Sequence, residues 1–308
     1  MNKLYEGGNA VSNVMPIRAE DTIPTLKDID TKILSRFLKL KKNEWAALGS
    51  TGKKLPGQSS GDIDLAIDIN KIAKSYKIQT NEVGQKILDL LDSAYPKMEK
   101  NYMKGLEIIS LAYPIKGSGG NVQVDLMLQD NIDFAKWMFH SPDFTKHESE
   151  WKGLYRTELL KAIGNAISIP EMTEYFEDEF EGKYKGTIKK LARNMLDPNK
   201  GYKKQLKSFV GKKGTPVKTG KSEYEELISK DPEFITKALL GQSATIKDTN
   251  SFETVWKVMQ NKDFPWKDQM NKIVVKFAEV LRGKGLPMPK ELGISENSRM
   301  KKFSDIRQ

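Results

Sequence analysis

From residue 25 to 42 the apolar side chains Leu26, Ile29, Ile33, Phe37 and Leu40 recur every three or four positions, which predicts a helix with one buried face. Residues 45–48 form a short apolar run, read as a strand closed by Gly49-Ser50. Residues 51–61 are rich in Gly, Ser, Lys and Pro, the composition of a loop. From residue 62 the period changes to two. Ile63, Leu65, Ile67 and Ile69 point one way, and Asp62, Asp64, Ala66 and Asp68 point the other, as in a half-buried strand with a carboxylate-rich face. A second helix is predicted over 81–94, through Val83, Ile87, Leu90 and Leu91, and Pro96 stops it. Two further strands, 106–115 and 122–128, flank the stretch Lys-Gly-Ser-Gly-Gly-Asn, a hairpin signal. In the second of them Val122, Val124, Leu126 and Leu128 share a face and Asp125 lies on the other. The order helix, strand, strand, helix, strand, strand predicts an α/β domain with a mixed sheet.

Beyond residue 150 the spacing predicts helices at 151–167, 187–196, 223–229, 232–240, 251–260 and 265–281. The stretch 211–221, GKKGTPVKTGK, has Val217 as its one large apolar residue and reads as a basic loop dividing this helical region. The expected organisation is an irregular N-terminal segment at 1–24, an α/β domain at 25–150, a mostly α-helical, basic domain at 151–282, and a tail at 283–308 punctuated by Pro and Gly. A chain of 308 residues is long enough for two such cores.

Charge sharpens that division. Residues 1–150 hold 20 Lys/Arg and 20 Asp/Glu, a balance of zero; residues 151–308 hold 31 and 21, so the whole formal charge of +10 lies in the second half. Clustered cations of this kind suit a polyanion, because they release counterions from a phosphate backbone. The competing account is a lysine-rich helical domain with solvated faces. The chain has no cysteine and two histidines, His140 and His147, which excludes disulfides, thiolate metal sites, cysteine nucleophiles and a three-histidine metal site. No run approaches the ~18–20 apolar residues of a membrane span, and the first ten residues lack the apolar stretch of a signal peptide. The expectation is a cytoplasmic protein.

The chemistry is concentrated in the first half. Asp62 and Asp64 sit two apart on a strand and so project to one side. Two carboxylates that close repel each other unless a cation lies between them, and all-oxygen ligands suit Mg2+ or Mn2+. If the strand carrying Asp125 neighbours them, three carboxylates converge, and such a cluster can hold two ions, the arrangement used for in-line phosphoryl and nucleotidyl transfer. Gly49-Ser50, a dozen residues upstream, offers a position where phosphate can approach the backbone and meet a hydroxyl and nearby N–H groups.

Leu48-Gly-Ser50, Ser60-Gly-Asp-Ile-Asp-Leu65 and Val124-Asp-Leu126 together resemble the nucleotidyltransferase superfamily typified by DNA polymerase beta, over about residues 26–130. Poly(A) polymerases, CCA-adding enzymes, cyclic-nucleotide synthases and toxin-type enzymes belong to that superfamily. The resemblance implies a mixed sheet with flanking helices, Gly49 and Ser50 on the nucleotide-phosphate turn, and Asp62, Asp64 and Asp125 as catalytic metal ligands. It further implies a nucleoside triphosphate substrate with Mg2+ or Mn2+ as cofactor. One departure from the family pattern is the 51–60 connection, which contains Pro56 and reads as extended.

The acceptor is expected to be a nucleic acid, such as an RNA or tRNA end, used without a template. Lys183, Lys185, Lys189, Lys190, Arg193, Lys203, Lys204, Lys212 and Lys213, with Tyr184 and Tyr202 among them, are candidate nucleic-acid contacts by charge and stacking. The alternatives are nucleotidylation of a protein or small molecule, synthesis of a cyclic or oligonucleotide product, and an inert binding module on the same fold. Residues 214–222 mimic a P-loop but carry five residues between the glycines instead of four and follow no clear strand, so that reading is rejected. Asp68 reads as a strand-end surface carboxylate, and His140 and His147 as surface or capping residues.

Overall fold

The computed structural model describes residues 10–139, 151, 153–166, 176–180, 184–212 and 215–293; within 176–180, 184–193, 206–212 and 215–224 only the backbone is described. His140, His147, Lys183 and Lys213 lie outside the described residues.

The chain enters through a two-residue strand β1 (Ile17–Arg18) and turns at once into α1 (Ala19–Ile29), with Glu20 and Asp21 at its positive end. The expected irregular segment is therefore helical from residue 19. A wider π-type stretch, Asp30–Ser35, follows α1, and the Leu38 N–H donates to Ile33 O five residues back. The predicted helix thus starts earlier and ends sooner than its apolar spacing suggested.

Next come β2 (Trp45–Leu48), β3 (Ser59–Ser60), β4 (Asp62–Asp68), α2 (Ile69–Tyr76), α3 (Val83–Ala94), β5 (Lys100–Met103), β6 (Ile108–Pro114), β7 (Asn121–Gln129) and α4 (Ile132–Phe139). A five-stranded sheet forms in the order β2-β4-β7-β6-β5. It is mixed: β4 and β7 run parallel, and the other pairs are antiparallel. β2, β4, β6 and β7, and the α/β character of the first half, are as expected. β1, β3, β5, α2 and α4 were not read from the sequence. Asp68 has a local task, since its Oδ1 caps α2 by accepting from Asn70 N at 2.9 Å and Lys71 N at 3.2 Å.

The two faces of this sheet are covered unequally. Ile63, Leu65, Ile67, Val124, Leu126, Ile109 and Leu111 pack with Ile29, Ile33, Val83, Ile87 and Leu91 into one core. On the other face Ala46, Leu48, Ala66 and Met127 pack with Ile132 and Ala135 of α4. That helix covers only part of the face. Asp62, Asp64 and Asp125 occupy the part beyond Ala66 and Met127, where they remain partly accessible.

The second half departs from expectation. α5 (Gly153–Ala166) is followed by β8 (Phe176–Phe180), β9 (Tyr184–Asp197), β10 (Gly201–Lys212) and β11 (Thr215–Ser229), which pair antiparallel in sequence order. The helices predicted at 187–196 and 223–229 are strands, and 211–221 belongs to β10 and β11 rather than to a loop dividing helices. Ile188, Leu191, Ala192 and Met195 fit a helical period, but pairing between strands overrides that local spacing. The Asp-Pro-Asn-Lys-Gly turn was the missed signal. The Asp197 carboxylate accepts from Asn199 N at 3.0 Å and Lys200 N at 3.1 Å, and Gly201 takes a φ of +94°, so the chain reverses into β10.

α6 (Pro232–Leu240), α7 (Phe252–Gln260) and α8 (Met270–Gly283) return the chain to helix, close to the predicted bounds. Leu159 and Ile163 of α5, Leu239, Val255 and Phe277 form a core with Leu196 and Tyr202 from the antiparallel sheet. Phe134, Trp137 and Met138 of α4 join that core, so α4 serves both halves. The buried Arg156 guanidinium ties them further: it donates to Met138 O at 3.0 Å and to Thr249 O, and lies 5.3 Å from the Trp137 ring centroid. Phe277 is wholly buried and stacks on Phe252 at 5.8 Å between centroids. Phe277→Ala is expected to cost about 3–5 kcal/mol in urea unfolding. A loss below about 1 kcal/mol would contradict a formed core at this position.

Candidate metal and phosphate site

Register brings the carboxylates together. In the parallel pair β4–β7, Asp62 lies opposite Gln123 and Asp64 opposite Asp125. One carboxylate oxygen from each of Asp62, Asp64 and Asp125 lies within 4.8 Å of the others. The sequence expected this convergence on the condition that the two strands were neighbours, and they are. On the far side of β7, Ser110 of β6 pairs with Asp125, and on the far side of β4, Leu48 of β2 pairs with Asp64.

These acids are held against their own preference. Burial, then repulsion from Asp125, pushes the Asp62 carboxyl up to about 6, with attraction to Lys54 working the other way. Burial, then the charges of Asp62 and Asp125, pushes Asp64 up to about 7. Burial raises Asp125 as well, opposed by hydrogen bonds from Ser110 and Gln123. A cation of sufficient charge would relieve all three.

Gly49 follows β2 directly and sits at φ +58°; a Cβ there would stand 2.5 Å from Asp64 Oδ2. Only glycine leaves room for that carboxylate. The Ser50 and Ser60 hydroxyls are 2.5 Å apart, and Thr51 Oγ1 accepts from Asp64 N at 3.1 Å, which pins the turn to the strand that carries Asp62 and Asp64. The 51–58 connection is not extended: Lys53 N–H donates to Ser50 O and Gln58 N–H to Leu55 O, and both close turns. Of the amide donors expected to cradle phosphate, Gly49 N–H donates to Phe139 O at 3.3 Å and Thr51 N–H to Leu48 O at 3.1 Å. Those two are therefore engaged within the chain, and the Ser50 hydroxyl, paired with Ser60, can donate elsewhere when Ser60 is the donor of that pair.

No family model, curated protein or solved structure matches this chain. The functional reading therefore stands on the arrangement of these residues.

Three residues that sequence reasoning passed over belong to the site. Ser110 and Gln123 hold Asp125, and the charge of Lys54 attracts the Asp62 carboxylate. Lys53, on the same turn, is half-buried, its ammonium pushed down to about 8 by burial and by the charge of Arg156. Lys54 was within reach of pattern reasoning, because it follows the Gly-Ser turn by four residues. Ser110 and Gln123 became visible only with the strand register. Among the candidate nucleic-acid contacts, Lys185, Lys189, Lys190 and Arg193 fall on β9 and Lys212 ends β10. Lys204 is on β10 and partly exposed. Lys203 is a correction. It is 5% exposed and bridges Asp197 at 3.0 Å and Glu225 at 2.9 Å, so its charge is spent inside the sheet.

The raised pKa values carry a sign. A carboxyl whose folded pKa lies above its unfolded value near 3.8 contributes stability below that value and loses it as pH rises through the folded pKa, here about 6 and about 7. In EDTA, Asp64→Asn is therefore expected to melt higher than the wild type at pH 8, by roughly 2–4 °C per kcal/mol of repulsion relieved, with the gap closing by pH 5. Equal melting temperatures at pH 8 would contradict the crowding of charge.

Proposed function

We propose that this protein is a metal-dependent nucleotidyltransferase that transfers a nucleoside monophosphate from a nucleoside triphosphate to an acceptor hydroxyl on an RNA end, without a template. The observation that carries the reading is the convergence of Asp62, Asp64 and Asp125 within 4.8 Å, beside a glycine that leaves room for Asp64 and a serine hydroxyl on the adjoining turn.

The donor set fits a hard divalent cation: three partly buried carboxylates, oxygen only, each raised toward the neutral form without a cation to share. Asp62, Asp64 and Asp125 would hold Mg2+ or Mn2+, which when bound offsets negative charge on the phosphates. With Ser60 donating to it, the Ser50 hydroxyl can donate its own proton to a phosphate oxygen. Lys54, whose charge acts on Asp62, supplies cationic charge on that side of the site. In the transfer, the acceptor oxygen attacks the α-phosphorus, its proton passes to a carboxylate oxygen of the trio, the bond to the bridging oxygen breaks, and pyrophosphate leaves.

Support for a nucleic-acid acceptor comes from the charge of +10 carried wholly by the second half of the chain. No helix among the described residues is long and apolar enough to cross a membrane.

Incubation with Mg2+, each α-labelled nucleoside triphosphate and total RNA tests the reading. Label is expected on RNA with at least one nucleotide, and Asp62→Asn and Asp64→Asn are each expected to reduce it by about 10³-fold or more. Label on a protein, a small molecule or a second nucleotide would keep the chemistry and overturn the RNA acceptor. No transfer from any nucleotide to any acceptor would overturn the enzyme and leave an inert binding module.

A further inference from the structure

The three carboxylates are not supported alike. Among the described residues no side chain hydrogen-bonds the carboxylate of Asp62 or Asp64, whereas Asp125 is gripped at both oxygens. Ser110 Oγ donates to its Oδ1 at 2.6 Å, and Gln123 Nε2 lies 3.0 Å from Oδ1 and 3.1 Å from Oδ2. Ser110 is fully buried and Gln123 is 3% exposed, so water cannot replace either donor cheaply. The two come from different places: Gln123 stands two residues before Asp125 on the same face of β7, and Ser110 faces it across the β6–β7 pair.

The Gln123 amide is itself oriented. Its Oε1 accepts from the Ala10 N–H at 3.0 Å. A backbone N–H can only donate, so the amide oxygen must face Ala10 and the amino group must face Asp125. Ala10 is in turn tethered: its carbonyl accepts from Asn101 Nδ2 at 3.3 Å, and two residues on, Ser12 donates to Glu99 through its backbone N–H at 2.7 Å and its hydroxyl at 2.6 Å. The chain then runs through β1, which pairs with β3 so that Ile17 lies opposite Ser60, the partner of Ser50. The segment preceding α1 therefore touches both flanks of the site.

We propose that Gln123 and Ser110 are positioning residues that lock the Asp125 carboxylate as the fixed ligand of the divalent cation, and that the N-terminal segment, through Ala10, sets the amide that does so. The inference rests on the metal-site reading above. Its physical logic is the support that the hydrogen bonds of surrounding groups lend to a metal ligand: donors on Asp125 hold one carboxylate in place and leave the remaining lone pairs to the ion, while Asp62 and Asp64 adjust around it.

The test is binding of Mn2+ alone, followed by the electron paramagnetic resonance signal of the free ion, with full-length wild type, Gln123→Met, Ser110→Ala, Ser110→Thr and Ala10→Pro. Leu239→Ala serves as a control that loosens a buried core other than the two packed on the faces of the carboxylate sheet. Gln123→Met keeps the length of the side chain and removes its donors; Ala10→Pro removes the N–H that orients the Gln123 amide, and also fixes φ at residue 10. The expected result is Mn2+ binding weakened about 10- to 100-fold in Gln123→Met and Ser110→Ala, and less in Ala10→Pro. Affinity is expected to return in Ser110→Thr, which keeps the hydroxyl, and to be unchanged in Leu239→Ala despite its lower melting temperature. If the wild type binds Mn2+ and both donor-removing variants bind within twofold of it, the positioning role is overturned and the metal site stands. Should Gln123→Met fail to fold, the Ser110 pair and Ala10→Pro decide by the same criterion. If the wild type itself fails to bind, the metal-site reading falls and this inference with it.

Discussion

Parallel pairing of β4 with β7 forces like charges into contact, and the rest of the site follows from that constraint. The register opposing Asp64 to Asp125 is set by the hydrophobic faces of both strands, since a slip of one residue would turn Ile63, Leu65, Val124 and Leu126 out of the core. The core thus decides where the carboxylates go, and they cannot move apart without unpacking it. Their proximity raises the cost of ionising each one, and a divalent cation is the simplest agent that removes that cost.

The surroundings fit such a site. α4 covers the Ala66 and Met127 end of the carboxylate face and leaves the Asp62, Asp64 and Asp125 end accessible, so the acids are partly desolvated yet open to a ligand. Gly49 gives Asp64 its space, and the paired Ser50 and Ser60 hydroxyls bind the Gly-Ser turn to the segment that leads into β4. Among the described residues, Asp125 alone of the three is supported by side-chain donors. The site therefore has one anchored carboxylate and two adaptable ones, on a sheet whose opposite face is a closed apolar core.

Much of the first half was legible because its signals are local and strong. The strict alternation around Asp62 and Asp64, the glycine-rich turn before Asn121 and the apolar face of α3 each report a single element without help from distant residues. The meeting of Asp125 with the other two was legible only as a condition, because a parallel pair joins stretches about sixty residues apart. Ser110 and Gln123 carried no signal of their own: a serine and a glutamine in strands are unremarkable until pairing sets them against a carboxylate. In the second half the reading erred where apolar residues in β9 happened to fit a period of 3.6 and the paired strands overruled it. The Asp197–Gly201 turn held the contrary evidence. Lys203, counted among exposed cations, proved to be an internal ion-pair partner, because charge counting is blind to which side of a strand faces its neighbours.

A crystal of the protein soaked with Mn2+ and a non-hydrolysable nucleoside triphosphate, examined by anomalous scattering, tests the central claim most directly. The account expects a manganese peak bounded by carboxylate oxygens of residues 62, 64 and 125, at about 2.0–2.2 Å from those it touches, with the phosphates on the Ser50 side. A well-ordered nucleotide bound elsewhere, with no manganese between the three acids, would contradict it.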